Sequence, residues 1–179
     1  TLSLHDALPI SGNINIQSGT GISASGLLPL NVVLQANAGG GTCGLGCNVT
    51  VSAPINTNGG SFSSSGINFD SAVGAITTGN GAVNINQTGT VNAGSINPGT
   101  AAVTIAASGA ITLNSALTAG PLSITSSTGS ITAKSSILAA ASGVALTLSA
   151  PAGAITVNLG ASDIGSGTPF GTVNITAGQ

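Results

Sequence analysis

The chain has 179 residues, of which only 2% are charged: Lys and Arg together contribute 1, Asp and Glu 3, and His 1. Apolar residues make up 41% of the chain and the mean hydropathy is +0.54, which excludes the composition typical of disordered proteins. The net charge of -2, without clustered Lys or Arg, excludes nucleic acid as a partner. With 24 Ser, 21 Thr and 16 Asn, we expect one domain with an aliphatic core and a surface of hydroxyls and amides.

Residues 1–10, TLSLHDALPI, do not share the sequence pattern of the rest of the chain and resemble one translated frame of a sequencing adapter. We interpret them as a non-native artefact and exclude them from the fold prediction; the alternative is a short, genuine N-terminal turn. Their exclusion removes the only histidine, His5, together with Asp6. Residues 11–179 are then expected to be an internal fragment with neither its native start nor its native end, so the segment that would carry any signal peptide is missing.

A repeat begins near Gly81, and its register is clearest over residues 81–179. Its units open at Val83, Val103, Leu122, Leu146 and Val173, so they are 20, 19, 24 and 27 residues long. Alternating apolar residues between Gly, Ser, Asn and Pro boundaries predict short strands, and a period of this length indicates a solenoid. Three apolar points per unit predict an all-β fold, a parallel right-handed β-helix with three short strands per rung and about seven rungs.

The predicted core consists of ladders, because no single rung can bury its own apolar face. One inward ladder is expected to contain Ile85, Ile105, Ile124, Leu148 and Ile175. A second is expected to contain Val91, Ile111, Ile131 and Ile155. A looser third position closes each unit at Ile96, Leu117, Ile137 and Ile164. The polar residues expected to point outward are Asn84, Thr104, Ser123, Thr147 and Asn174.

Glycines and prolines are expected at the corners. The prolines expected between strands are Pro98, Pro121, Pro151 and Pro169. The glycines expected to adopt the positive φ of a tight corner are Gly81, Gly109, Gly120, Gly129, Gly143, Gly153 and Gly171. Residues 137–161 are uncharged and apolar enough to suggest a membrane helix, but Gly and Pro interrupt them and the alternation favours strands.

Before Gly81 the same pattern continues with longer insertions. The apolar triplets and the single residues that follow them are Ile14-x-Ile16 with Ile22, Val32-x-Leu34, Val49-x-Val51 with Ile55, and Ile67-x-Phe69 with Val73.

Residues that could carry chemistry are few. Outside residues 1–10 the carboxylates are Asp70 and Asp163, roughly four rungs or about 20 Å apart. Paired glycosidase carboxylates need about 5 to 9.5 Å, so this chemistry is excluded. Lys134 precedes Ser135, a pair that suggests a Ser-Lys nucleophile, but an outward surface lysine is the preferred interpretation. We predict no catalytic, cofactor or metal site and no enzyme activity.

Cys43 and Cys47 lie in GGGTCGLGCN, a Gly/Cys loop near residues 39–47. The pair lacks the further ligands that a zinc site requires. A local disulfide formed in an oxidising compartment is the preferred interpretation, and free thiols are the alternative.

The segments GNINIQSGTGISASG, GAITLNSALTAG, GSITAKSSILAA and GAITVNLGASD resemble repeats of filamentous haemagglutinin-type exoproteins, the secreted partners of bacterial two-partner secretion systems. The resemblance covers Gly12 to the end. It implies a structural rod of a surface adhesin, secreted or held at the bacterial exterior, and export by an outer-membrane transporter. The family's secretion domain carries Asn-Pro-Asn-type motifs, whereas Asn97-Pro98 is followed here by Gly99, so the resemblance implies rod rather than export signal.

Two alternatives stay open, and one further property is expected. The repeats also resemble autotransporter passengers. An ice-binding β-solenoid would need a flat face of Thr-x-Thr on successive rungs; Thr112, Thr132 and Thr156 do recur on one strand, but singly. The sequence does not indicate a receptor. Because unpaired strand edges template further strands, self-association through open solenoid ends is expected.

Overall fold

A computed structural model describes residues 12–19, 21–36, 46–158 and 164–178, and this part of the chain contains strands and no helix. All strand pairs are parallel, and they form three sheets. Apart from the last strand, consecutive strands enter the first, second and third sheet in turn, so one rung contains three strands. The predicted all-β class and the parallel β-helix with three strands per rung are therefore confirmed.

The strands are numbered in chain order. The first sheet contains β1 (Ile14–Ile16), β4 (Val49–Val51), β7 (Phe69–Asp70), β10 (Val91–Ala93), β13 (Ile111–Leu113), β16 (Ile131–Ala133) and β19 (Ile155–Val157). The second contains β2 (Ile22–Ser23), β5 (Ile55–Asn56), β8 (Ile76–Thr77), β11 (Ile96–Asn97), β14 (Leu117–Ala119) and β17 (Ile137–Ala139). The third contains β3 (Val32–Gln35), β6 (Phe62–Gly66), β9 (Val83–Gln87), β12 (Val103–Ala107), β15 (Leu122–Ser126), β18 (Ala145–Ala150) and β20 (Thr172–Ala177).

The two predicted inward ladders are confirmed as columns of paired residues. Strand pairing places the members from Ile85 to Ile175 side by side in the third sheet. It does the same for Val91 to Ile155 in the first sheet. Four members of the first column are completely buried, but Ile175 is 53% exposed. Its strand, β20, pairs with β18 alone among the described strands, so in this part of the chain its other side is uncovered.

The third apolar column is also confirmed. Ile96 pairs with Leu117, Leu117 with Ile137, and an isolated bridge joins Ile137 to Ile164. The described part of the first and third sheets has seven strands each, in agreement with about seven rungs. The four prolines named above lie outside strands, as expected.

The predicted role of the corner glycines is wrong for six of the seven. Only Gly143 has a positive φ, of 84°. At the others the reason for glycine is the close approach of two rungs: a Cβ on Gly81 would overlap the carbonyl oxygen of Gly60, and one on Gly153 that of Gly129. The six glycines that lack a left-handed φ are Gly81, Gly109, Gly120, Gly129, Gly153 and Gly171.

Before Gly81 one predicted unit is wrong. Val73 is 81% exposed. The inward position belongs to Ile76, which pairs with Ile55 and Ile96 in the second sheet. Strand β6 was missed because its inward positions are Phe62 and Ser64, an alternation that hydropathy alone does not detect.

Residues 137–161 supply β17, β18 and β19, so the preference for strands is confirmed there. In the part of the chain that the structure describes, no helix has the length and apolarity needed to cross a membrane.

Candidate functional site

The outer faces of the three sheets differ in width. Strands of the first sheet have three residues or fewer, whereas those of the third have four to six, enough for at least two outward positions each. In-register pairing stacks these positions into two parallel rows. We call the resulting surface the third-sheet face; one row is Val33, Ser63, Asn84, Thr104, Ser123, Thr147 and Asn174, and the other is Gln35, Ser65, Asn86, Ala106, Thr125, Ser149 and Thr176.

The third-sheet face is uncharged, and all but two of its side chains carry a hydroxyl or an amide. Within the described residues, none of these polar groups donates or accepts a hydrogen bond inside the molecule. Neighbouring polar groups are spaced at about 4.8 Å between strands and roughly 6.6 Å along a strand. The outward orientation predicted for the row that includes Asn84 and Asn174 is confirmed.

A shallow groove of ≈160 Å³ lies along one margin of this face, across β12, β15 and β18. Three of its eight lining residues carry a hydroxyl, and the other five are apolar. Its lining residues are Ala102, Val103, Thr104, Pro121, Leu122, Ser123, Ala145 and Thr147.

Four polar side chains beside the first sheet bond to each other: two lie on its strands, in β7 and β10, and two immediately follow β13 and β16. Lys134 donates from Nζ to Asn114 Oδ1 (3.0 Å), and Asn114 donates from Nδ2 to Asn92 Oδ1 (2.6 Å). Asn92 in turn donates from Nδ2 to Asp70 Oδ1 (3.2 Å). Every bond runs in the same direction, from the ammonium to the carboxylate. Lys134 is exposed and points outward, as preferred from the sequence.

A second polar ladder, which the sequence analysis missed, lies at the corner before the first sheet. Asn13 Oδ1 accepts from the backbone N–H of Asn48, and Asn48 Oδ1 accepts from Asn68 Nδ2. Asn68 Oδ1 then accepts from both the backbone N–H and the hydroxyl of Thr90. The available signal was an asparagine immediately before three first-sheet strands. These bonds join successive rungs and identify the corner as structural.

Among the described residues, Gln87 is the buried polar residue with an unmet hydrogen-bonding group. Its Nε2 donates to Ser64 Oγ (3.1 Å), while its Oε1 has no hydrogen-bond partner within this part of the chain. Gln87 pairs with Gly66, and Ser64 pairs with Ile85. The long amide therefore fills space that the small residues of the preceding rung leave open.

Cys47 is almost fully buried, has a φ of 69° and is disulfide-bonded. Cys43 lies outside the described residues, so the Cys43–Cys47 pairing stays a prediction. His5, Asp6 and Asp163 also lie outside them. Among the residues that the structure does describe, no three His, Cys, Asp or Glu side chains come together as a group that could hold a metal ion.

Thr112, Thr132 and Thr156 do stack in register on the first sheet. They form a single row, because the flanking Leu113 and Ala133 point into the core and are buried. A two-row array of threonines on this sheet is thus precluded by its strand length.

No protein-family model matches the chain, and neither a curated protein nor a solved structure is significantly similar to it. The chain is a β-solenoid, a fold compatible with a structural repeat protein.

Proposed function

We propose that the chain is a structural rod segment of a large secreted bacterial surface adhesin of the filamentous haemagglutinin type. The observation that supports this most directly is the unbroken in-register stacking of rungs through all three sheets. Each rung contacts only its neighbours, so length grows with the number of rungs, by about 4.8 Å for each. Such a rod holds adhesive regions away from the cell.

The charged side chains favour a structural role over catalysis. Asp70 and Lys134 are the charged groups in the described residues, and the two intervening amides connect them into one chain of hydrogen bonds. Asp70 also accepts from the backbone N–H of Ala72 (2.9 Å), which fixes the turn after β7. Groups used in this way stabilise the stacking of rungs.

Export to the bacterial exterior through an outer-membrane transporter of the two-partner type is part of the proposal. The disulfide-bonded state of Cys47 supports an oxidising compartment, since reducing cytosol keeps most thiols free. The surface receptor bound by the whole fibre is not specified by the rod.

The test is detection of the chain on intact cells of the bacterium that encodes it, with antibodies raised against residues 46–158. Labelling without permeabilisation, lost when a neighbouring transporter gene is deleted, is the expected result. Labelling that survives this deletion would favour the autotransporter alternative. Labelling only after permeabilisation would contradict a surface rod.

A further inference from the structure

We propose that the third-sheet face binds a neutral, hydroxyl-rich polysaccharide, with the glycan strand lying along the rod axis in the groove across β12, β15 and β18. This inference depends on the fold and on the side chains of the face. It does not require that the protein is an adhesin, and it goes beyond a rod that contributes only length.

The first argument is the unused hydrogen-bonding capacity of the hydroxyls in the groove. Thr112, Thr132 and Thr156 of the first sheet likewise make no side-chain hydrogen bond to a described residue but form a single row, whereas Asn92 and Asn114 use their capacity on each other. The corner asparagines do the same. On the third-sheet face, the hydroxyls of Thr104, Ser123 and Thr147 make no hydrogen bond to any residue that the structure describes, so their donors and acceptors are available to a ligand.

The second argument is charge. The fourteen outward positions of the third-sheet face include no Asp, Glu, Lys or Arg. Acidic glycans and nucleic acids are recognised through cationic groups, which this face lacks. Its amides and hydroxyls instead match the alternating donors and acceptors of neutral sugar hydroxyls.

The third argument is shape. The groove spans three rungs and has a volume of ≈160 Å³, so it suits a narrow strand that runs parallel to the rod. Pro121 and Ala102 offer apolar contact to the C–H surfaces of a sugar ring, while Thr104 and Ser123 offer hydroxyls beside them. Binding to a planar ice surface would require a flat protein face, whereas the groove would leave a gap between the protein and the ice.

Rigidity adds to the expected affinity. Each hydroxyl stands on a strand that is paired on both sides: β12 with β9 and β15, and β15 with β12 and β18. The binding groups are therefore held in place before the ligand arrives, which lowers the entropy that binding must offset.

The experiment measures binding of the full chain to immobilised mannan, dextran and β-glucan, with heparin and alginate as acidic probes. The test variant combines Thr104→Val, Ser123→Ala and Thr147→Val, which removes three hydroxyls from the groove and leaves the buried positions unchanged. The control variant combines Thr112→Val, Thr132→Val and Thr156→Val on the first sheet. Circular dichroism and melting curves establish that both variants keep the fold.

We expect saturable binding to at least one neutral glycan, weakened about tenfold or more in the groove variant and unchanged in the control. Failure of the wild-type chain to bind any neutral glycan would overturn the proposal. So would equal losses in the two variants, or preferential binding to heparin or alginate. Thermal hysteresis in the absence of glycan binding would assign the face to ice and also overturn it.

Discussion

Lys134 donates a hydrogen bond to Asn114 in the preceding rung, and this bond begins a one-directional chain of donors that ends at Asp70. Hydrogen bonds aligned in this way polarise one another. The cationic and anionic ends favour the same orientation of both intervening amides. Three of the contacts between successive rungs on the first sheet are thereby made by side chains in addition to the backbone ladder.

Substituting a residue in the middle of these linked hydrogen bonds should lower the free energy of unfolding more than substituting the residue at their end. Asn92→Ala removes the acceptor of Asn114 and a donor to Asp70, and we expect the free energy of unfolding to fall by about 1–2 kcal/mol. Lys134→Ala removes an exposed cation and should change it by less than about 0.5 kcal/mol. Urea denaturation measures both, with Thr112→Ala as a control that breaks no hydrogen bond. Equal effects of all three substitutions would show that these linked side-chain hydrogen bonds contribute nothing to stability.

The inward ladder is tested at Ile124, which is completely buried between Ile105 and Leu148. Ile124→Asp places a carboxylate in the core without a partner and should destabilise the fold by about 3 kcal/mol or more. Because this variant is at risk of not folding, Ile124→Val provides a milder measure, with an expected loss of about 1 kcal/mol.

The adjacent outward residue provides the control. Ser123→Asp adds the same carboxylate one position away on the third-sheet face, and its effect should stay within about 0.5 kcal/mol. If Ser123→Asp were as damaging as Ile124→Asp, the inward and outward assignments would be wrong.

Gly81 tests the close approach of rungs at a corner. Its φ lies outside the left-handed region, so strain at φ does not oppose alanine, but the new Cβ would overlap the Gly60 carbonyl. We expect Gly81→Ala to lower stability by about 1–3 kcal/mol, as overpacking does. At Gly46 the nearest atom to an added Cβ is at 3.7 Å, so Gly46→Ala is the matched control and should be tolerated. The melting temperatures of the two variants make the comparison.

The exposed edge of β20 should promote self-association. Val173 and Ile175 are about half exposed there, on a strand whose other edge has no partner among the described strands. Lysine on a strand edge disfavours further pairing, so Val173→Lys with Ile175→Lys should reduce oligomer formation in sedimentation velocity. Val73→Lys, at an exposed apolar residue away from this strand, should leave association unchanged. A wild-type chain that stays monomeric at high concentration would argue against the open edge.

Much of the fold was predictable because apolar inward residues alternate with outward residues along each strand, and this pattern is visible in the sequence. Each of the residues Val83, Val103 and Leu122 opens a third-sheet strand, since an inward position in a two-residue period must be apolar. Prolines marked the gaps between strands for the equally local reason that they lack a ladder donor.

Other features depend on contacts between rungs, and the sequence therefore carries only a weak signal for them. Strand β6 was not predicted because three of its five residues are serines. Its contribution to the core comes from Phe62, which packs edge-to-face on Phe69 with ring centroids 6.2 Å apart. Val73 satisfied the apolar spacing, but the turn that contains it shifts the inward position to Ile76.

For the candidate site, the sequence indicated which polar residues of the third sheet point outward. It did not indicate that they lack partners while Asn92 of the first sheet and Asn114, just after β13, bond to each other. That difference requires knowledge of which residues twenty positions apart stand side by side, as Asn92 and Asn114 do. Strand length was the one local clue, because a five-residue strand such as β9 exposes two side chains.

The rod geometry is tested most directly by distances between spin labels along one row of the third-sheet face. Five successive strand pairings separate Ser63 from Asn174, and four separate Asn84 from Asn174. Pulsed electron resonance on Ser63→Cys/Asn174→Cys and on Asn84→Cys/Asn174→Cys should report Cα separations of about 24 Å and 19 Å, with narrow distributions. The difference between the pairs should equal one inter-strand spacing. Equal distances in the two pairs, or broad distributions in both, would contradict a stacked β-helical rod.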